Sequence, residues 1–432
     1  MRLHDTAFYA ALFFILGIAA ASLSLNIWLF LTLIIILCLT LLTAVSNAKL
    51  VFIFACVGFL GFFYYHFYLA LQTENIAFDK EIVFQAEVFK EPVHGIKSEE
   101  IDVKLQPPYE GEARIYTEPI TEFHYGDLIE VKGEIGKSPT GRLNIISFPE
   151  IKIVSRNNGS PFKSRLFRLK ENLISNLNAV LPSQEAALMS GILLGERGEF
   201  TQEFKEELNR SGTTHIVALS GYNISIIGIT LATILAYFMK RRWAFYVALI
   251  AIPLFVIMTG AESSVVRAGI MGIIVLLAQK QSRLYSFRNA VTLTAFAMLL
   301  FNPKLLIFDL GFQLSFAALL GIVYFYPKLE NKFQIKEKGE GIFGWRKNLW
   351  QTFSAQAAVA PILLAKMGYF SVTGLIANVL ILEFIPFTML FGFLTAVLGF
   401  VSYELSLITG WLANAVLSYE ILVIKFFGAH WF

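Results

Sequence analysis

Charge is scarce in this sequence and cysteine almost absent. Charged residues make up 16% of the 432 positions and the formal net charge is only +3, so bulk electrostatics does not imply a nucleic-acid partner. The two cysteines, Cys38 and Cys56, lie inside apolar runs, which excludes a disulfide framework and a cysteine zinc site. Six histidines are scattered without zinc spacing. No Gly-x-x-x-x-Gly-Lys loop occurs, so the chain encodes no P-loop ATP motor. What fills the sequence instead is apolar: 56% of residues are hydrophobic and the mean hydropathy is +0.63. Apolar runs near the length needed to cross a bilayer, about 20 residues, recur along most of the chain. The class is a polytopic α-helical membrane protein with about nine to eleven spans, some of them broken helices.

The order of segments divides the chain into four parts. Residues 1–71 hold three apolar runs (8–25, 27–45 and 50–71) with short polar breaks, and form N-terminal membrane helices. Residues 72–155 change character, with charge, Pro-Gly punctuation and alternating runs at 82–88, 101–105, 113–116, 128–135 and 143–154. Five strands in about 80 residues predict a small β-barrel of OB-like type inserted between membrane segments. Between Asp79 and Lys152 nine Lys/Arg stand against fifteen Asp/Glu, which disfavours a single-strand-binding groove and suits a rigid cap. Residues 156–180 reverse the sign: Arg156, Lys163, Arg165, Arg168 and Lys170 come with no acid among them, on a stretch whose apolar face predicts an amphipathic helix at the membrane surface, in contact with lipid headgroups. Residues 181–432 form a second membrane region, with a break expected near Pro386.

Orientation follows from loop charge. With a cytoplasmic N-terminus, Lys49, the Lys240-Arg241-Arg242 cluster, the 280–288 loop and the 328–347 loop all face the cytoplasm, as the positive-inside rule expects. The β domain is then extracytoplasmic, and the chain sits in the plasma membrane as a multi-pass protein.

Polar residues inside membrane segments are costly and mark pathways, pairs or ligands. The stretch from Gly212 to Ser225 puts His215, Ser220, Gly221, Asn223 and Ser225 at the mouth of an apolar run, which predicts a helix broken beside a watery path. Glu262 and Arg267 stand five apart near a helix start, where a cap and an interfacial anchor explain them as well as a pathway does. Asp309, Gln313 and Phe316 share one helical face, and Asp309 also suits an N-cap. Gln356, Asn378 and Glu383 are further intramembrane polar residues. A serine-protease pairing of His215 with Ser220 fails, because residues five apart on a helix point about 140° away from each other. No catalytic residue and no cofactor or metal is expected.

Seven motifs in order are similar to the ComEC-type competence family: Gly191 to Arg197, Ser211 to Gly221, Val266 to Gly269, Asn302-Pro303, Asp309 to Phe316, Gln356 to Pro361 and Gly374 to Asn378. The resemblance extends to the arrangement of membrane spans, OB-like domain and competence-type membrane domain. It implies a channel that passes one strand of transforming DNA into the cytoplasm, a non-enzyme in which Arg197, Arg210 and Arg267 contact phosphates. His215 tunes charge, and Asn223, Ser225, Gln313, Ser315, Gln356 and Asn378 supply neutral hydrogen bonds. It further implies a separate DNA receptor, nuclease and cytoplasmic ATP-driven helicase as partners, and is compatible with a homo-oligomer. Two departures stand out. The His-x-His-x-Asp-His nuclease cluster of longer members is absent from these residues, and Glu383 occupies a place where the family usually has proline. The competing class is a secondary transporter or a solute or lipid permease, in which Glu262, Asp309 and Glu383 would couple ions.

Overall fold

The computed structural model describes residues 3–429 apart from 27, 30, 33, 38–47, 73–74, 77, 96–97, 120–121, 138–142, 197, 199, 218, 220, 222, 225, 229–236, 281–285, 334–344, 369 and 372. Two apolar helices, α1 (Leu3–Ser22) and α2 (Ala48–Leu71), open the chain. The β domain follows, with β1 (Glu81–Val88), β2 (Val93–His94), β3 (Glu99–Leu105), β4 (Glu112–Thr117), β5 (Leu128–Glu134), β6 (Asn144–Ser147) and β7 (Glu150–Ser155). Helices α3 (Pro161–Asn178), α4 (Ser183–Leu194), α5 (Gln202–Arg210) and α6 (Thr214–Val217) lead into the second membrane region. That region holds α7 (Arg241–Met258), α8 (Ser263–Lys280), α9 (Phe287–Phe301), α10 (Leu305–Phe308), α11 (Leu310–Leu320), a π segment (Gly321–Phe325) and α12 (Tyr326–Phe333). Helices α13 (Trp345–Met367), α14 (Gly374–Leu382), α15 (Ile385–Leu398) and α16 (Tyr403–Gly428) complete it.

The β domain corrects the barrel expectation. Its strands form one path in the order β6-β4-β3-β1-β5-β7, with β2 paired to β3 off that path. The two end strands are consecutive in the chain, joined at Phe148-Pro149, so the sheet curls, yet no ladder pairs them. Phe148 turns the chain at a φ of 48°, and Pro149 has no N–H to donate. Among the described residues only the isolated Gly136–Ile145 bridge ties β6 to the end of β5. The sheet is open, not a closed OB-like barrel. Alternation still builds its core: Phe84, Ala86 and Val88 of β1 meet Ile101 and Val103 of β3 and Ile129 and Val131 of β5, all buried.

The span count is also corrected. Among the described residues four helices are long and apolar enough to cross a membrane: Asp5–Ser22, Ala48–Leu71, Leu310–Phe333 and Tyr403–Gly428. The pair α14 and α15, bent by 53°, makes a fifth if counted as one span. Its bend falls at Glu383-Phe384, and Pro386 stands in the first turn of α15. The helices Arg242–Met258, Ser263–Ala278 and Phe287–Phe301 are apolar but short of the roughly 20 residues a full crossing takes. The expected spans at 27–45 and 224–239 fall largely outside the described residues.

Two helical groups flank the site. One, built from α3 to α6 and α14 to α16, buries Leu188, Met189, Ile192, Ile381, Ile385 and Leu417. The other, from α1, α2, α9 and α11, buries Phe14, Ile18, Met298, Phe312 and Phe316. Between them α8 packs on the broken stretch after α6, burying Leu219, Ile224, Val265 and Ala268 together.

Candidate functional site: a cavity between two helical groups

A cavity of about 2410 Å³ runs from the β domain down between the two helical groups. Its depth is fixed by packing. Gly321 is at the middle of the 24-residue apolar helix Leu310–Phe333. A Cβ there would lie 2.5 Å from the Ser354 carbonyl and 2.7 Å from the Ala358 side chain, so the middle of α13 faces it. Gln356, between those two, lies 3.3 Å from where a Cβ of Gly374 would stand, at the start of α14. Gly374 in turn abuts Gly212, whose Cα is 3.1 Å from the same point. The non-helical turn at 211–213 therefore sits at the mid-depth of an apolar helix. Broken backbone survives at such depth only where protein or a watery cavity satisfies it. Here hydroxyls in and beside the turn do part of this: Ser211 Oγ donates to the Leu208 carbonyl at 3.1 Å, and Ser371 Oγ donates to the Arg210 carbonyl at 2.6 Å.

The polar residues expected in a pathway divide on inspection. His215, Gly221, Arg267, Asp309, Ser315, Gln356 and Asn378 all border the cavity. Asn223 and Gln313 do not, and serve the backbone instead. Asn223 Nδ2 donates to the Ile192 carbonyl at 3.1 Å, and Gln313 Nε2 donates to the carbonyls of Leu306 and Ile307 at 2.9 and 2.7 Å. Arg210 pairs with Glu206 one turn back, at 3.3 Å, away from the cavity wall. Arg197, Ser220 and Ser225 lie outside the described residues. Asp309 is the N-cap of α11, its Oδ1 accepting from the Phe312 amide at 2.6 Å. Glu262 precedes α8, and its carbonyl accepts from the Val266 amide at 2.9 Å. Glu383, the acid in the proline position, accepts a hydrogen bond from Asn348 Nδ2 and does not border the cavity.

Arg267 is the exception among the cations. It is 8% exposed, its Nε has no hydrogen-bond partner, and no described carboxylate lies within ion-pair distance. Its guanidinium lies over the Phe316 ring, 5.9 Å from the centroid, and its Nη2 occupies space that a side chain at Gly221 would need, 2.7 Å from a Cβ built there. Glycine at 221 thus seats the guanidinium at the cavity wall. A buried cation without a counterion is costly unless a ligand supplies one.

The mouth of the cavity has the opposite character, because Glu91, Glu100, Asp102 and Glu196 there are each paired with a cation. Seven Asp/Glu and six Lys/Arg border the whole cavity among the described residues. In β3 and β4, Asp102 and Arg114 are direct cross-strand partners, and Arg114 holds Asp102 bidentately at 2.7 and 3.1 Å and Glu100 at 2.9 Å. Lys90 adds a contact to Asp102 at 2.8 Å. Burial alone would raise the Asp102 carboxyl, but the Arg114 hydrogen bonds and the Lys90 charge outweigh it and hold it below its ordinary 3.8. A depressed carboxylate contributes stability that is present above that ordinary value and lost as pH falls through the lower folded one. Asp102→Asn should therefore flatten the acid limb of the thermal midpoint against pH; a limb as steep as the wild type's would assign it to other groups.

Lys170 of α3 is the second matched centre. Its Nζ lies 2.7 Å from Glu91, in the loop after β1, and 2.9 Å from Glu196, just past α4, and all three side chains are at least four-fifths buried, at 5%, 16% and 15% exposure. This salt bridge joins the β domain to two helices at the cavity mouth. Helix α3 differs in part from a helix lying freely on a membrane. Phe167 is buried against Tyr125 of the β domain, at 5.2 Å between rings, while Phe162 and Leu169 stay exposed beside Arg165 and Arg168.

Sequence reasoning misses two things the structure brings out. Asn348 and Thr352 precede the expected Gln356 at four-residue intervals and line one stripe of α13 with it, a spacing legible in the sequence. Glu420, in the apolar run of α16, is 1% exposed and accepts from Thr388 Oγ1 at 2.5 Å. Among the described residues no group of three or more His, Cys, Asp or Glu is placed to hold a metal ion.

Residues 192–432 match the family described as competence protein. Over 238 residues the chain is 29% identical to ComE operon protein 3 of Bacillus subtilis (strain 168), a stretch covering 55% of this chain and 29% of that protein. The chain thus spans less than a third of that relative's length. No solved structure matches the chain.

Proposed function

The chain belongs to the competence protein family, and from that premise we propose that it is the membrane channel through which a single strand of DNA enters the cell. The observation that carries this is Arg267, a buried guanidinium without an acidic partner on the wall of a cavity between two helical groups. A phosphodiester chain supplies a fixed anion at each residue, which such a cation needs. Cavity size argues the same way: about 2410 Å³ exceeds the range of about 300–1,000 Å³ usual for small-molecule sites. Of the three acids that would have favoured an ion-coupled permease, Asp309 is held as a helix cap and Glu383 accepts from Asn348 away from the cavity, which leaves Glu262 at the cavity mouth. In this reading the chain performs no covalent chemistry. A receptor, a nuclease and an ATP-driven helicase are separate proteins, lipid headgroups meet α3, and the β domain faces outward.

The test is entry of a labelled single-stranded oligonucleotide into vesicles holding the purified protein, with a strand-binding protein inside to draw it in. Wild type should admit the strand, and Arg267→Ala should slow entry about tenfold or more, the loss of one charged hydrogen-bonding contact. The same variant should lower the slope of log affinity against log salt by about 0.7, one phosphate contact on a single strand. Correctly inserted wild type that admits no strand would overturn the channel reading. Unchanged entry in Arg267→Ala would leave that residue a structural role only.

A further inference from the structure

Below Arg267 the cavity changes chemistry. No described charged side chain borders its inner half along α8, α11 and α13. One wall is polar and neutral, with Asn348, Gln351, Thr352 and Gln356 on α13 and Asn378 on α14. The rest of the lining there is apolar, with Met271 and Leu276 on α8, Leu319 on α11 and Ile322 in the π segment. Asn378 is the least satisfied group there. It is 0% exposed, borders the cavity, and neither its Oδ1 nor its Nδ2 has a hydrogen-bond partner. Buried polar atoms are rarely left unpaired, and those that are call for a ligand or a strained role.

The two orphaned atoms ask for different things. Nδ2 needs an acceptor and Oδ1 needs a donor. A phosphate offers only acceptors, so it would leave Oδ1 bare. A nucleobase edge offers a donor beside an acceptor, which is the pattern a carboxamide meets bidentately. The apolar side chains of the same chamber give dispersion contact to flat base faces, which are the least polar part of a strand. We infer that the inner half of the cavity is a base-holding chamber, in which Asn378 hydrogen-bonds to nucleobase edges while Arg267 above it takes phosphate. This rests on the channel reading, and adds that the pathway grips the strand by its bases as well as by its charge.

Two oligonucleotides of equal length and charge separate the contributions, one carrying bases and one abasic throughout. Binding of each to the purified full chain is measured at fixed salt. Wild type should bind the base-bearing strand about tenfold more tightly, a carboxamide pair's worth of discrimination. Asn378→Leu should remove that preference and leave abasic affinity unchanged, whereas Arg267→Ala should weaken both strands alike. Gln351→Leu, on the lumen side of the same wall, repeats the test should Asn378→Leu fail to fold, and should narrow the preference. Equal wild-type affinity for the two strands overturns the base chamber while leaving the channel intact. A preference that survives both leucine variants overturns it too, with the orphaned amide then holding water alone. Wild type that binds neither strand overturns the channel reading and this inference with it.

Discussion

Gly212→Ala should cost about 2–5 kcal/mol and close the pathway, although it adds only one methyl group. Two costs add up. Gly212 has a φ of +67°, a left-handed conformation that costs a residue with a Cβ about 1–2 kcal/mol. The new Cβ would then stand 2.9 Å from Ser371 Cβ and 3.0 Å from Gly374 Cα. Neither neighbour can yield cheaply, because Ser371 Oγ is bound to the Arg210 carbonyl and Gly374 is the backbone of α14. Relieving such a clash costs a further 1–3 kcal/mol or so. The strain falls on the joint where the broken stretch meets α14, so Gln356 and Asn378 should move relative to Arg267. Gly228, which also borders the cavity but has nothing within 4 Å of a Cβ, gives the control. Gly228→Ala should match wild type in thermal midpoint and strand entry. A Gly212→Ala midpoint within a degree or so of wild type would show that the contact yields more easily than its geometry suggests.

How far the sequence reveals this molecule depends on the range of the interaction concerned. Local alternation is legible: Ile129 and Val131, or Ile101, Val103 and Leu105, announce strands because a strand buries every second side chain. The run at 143–154 reads as one strand but is two, divided where Phe148 takes a φ of 48° that its residue type does not announce. Closure of that sheet is less legible still. It depends on whether β6 and β7 pair, a matter of register between edges that local pattern does not encode. In the site, polarity at membrane depth singles out His215, Arg267, Gln356 and Asn378, which border the cavity. It equally picks out Asn223 and Gln313, which cap carbonyls, because a side chain that serves backbone and one that serves a pathway have the same composition. Only the partner distinguishes them, and the partner of Asn223, Ile192, is 31 residues away.

Removing Lys170 should destabilise the protein far more than removing either of its acids. The centre holds one ammonium and two carboxylates, at 2.7 and 2.9 Å, all largely out of water. Burial raises the Glu91 carboxyl above the ordinary carboxylate value, and the nearby charges of Glu196 and Glu171 add to this although Lys170 opposes it. Burial pulls the Lys170 ammonium down, but Glu196 and Glu91 outweigh it and the net direction is up. A raised lysine contributes stability that is complete below its ordinary value and lost only as pH rises through the higher folded one, so at neutral pH it is fully present. A raised carboxylate works the other way: at neutral pH its ionised form is held at a cost that protonation relieves. Glu91→Gln should therefore change stability little at neutral pH, and should remove a stabilisation that wild type gains on mild acidification. Lys170→Met leaves two buried carboxylates facing each other without a cation, a loss of about 3–5 kcal/mol. Because the three residues join the β domain to α3 and α4, the damage should appear first as protease cleavage around 89–98 and 156–160, before the helices unfold. Equal losses in Lys170→Met and Glu91→Gln would mean that the centre holds by packing and not by charge.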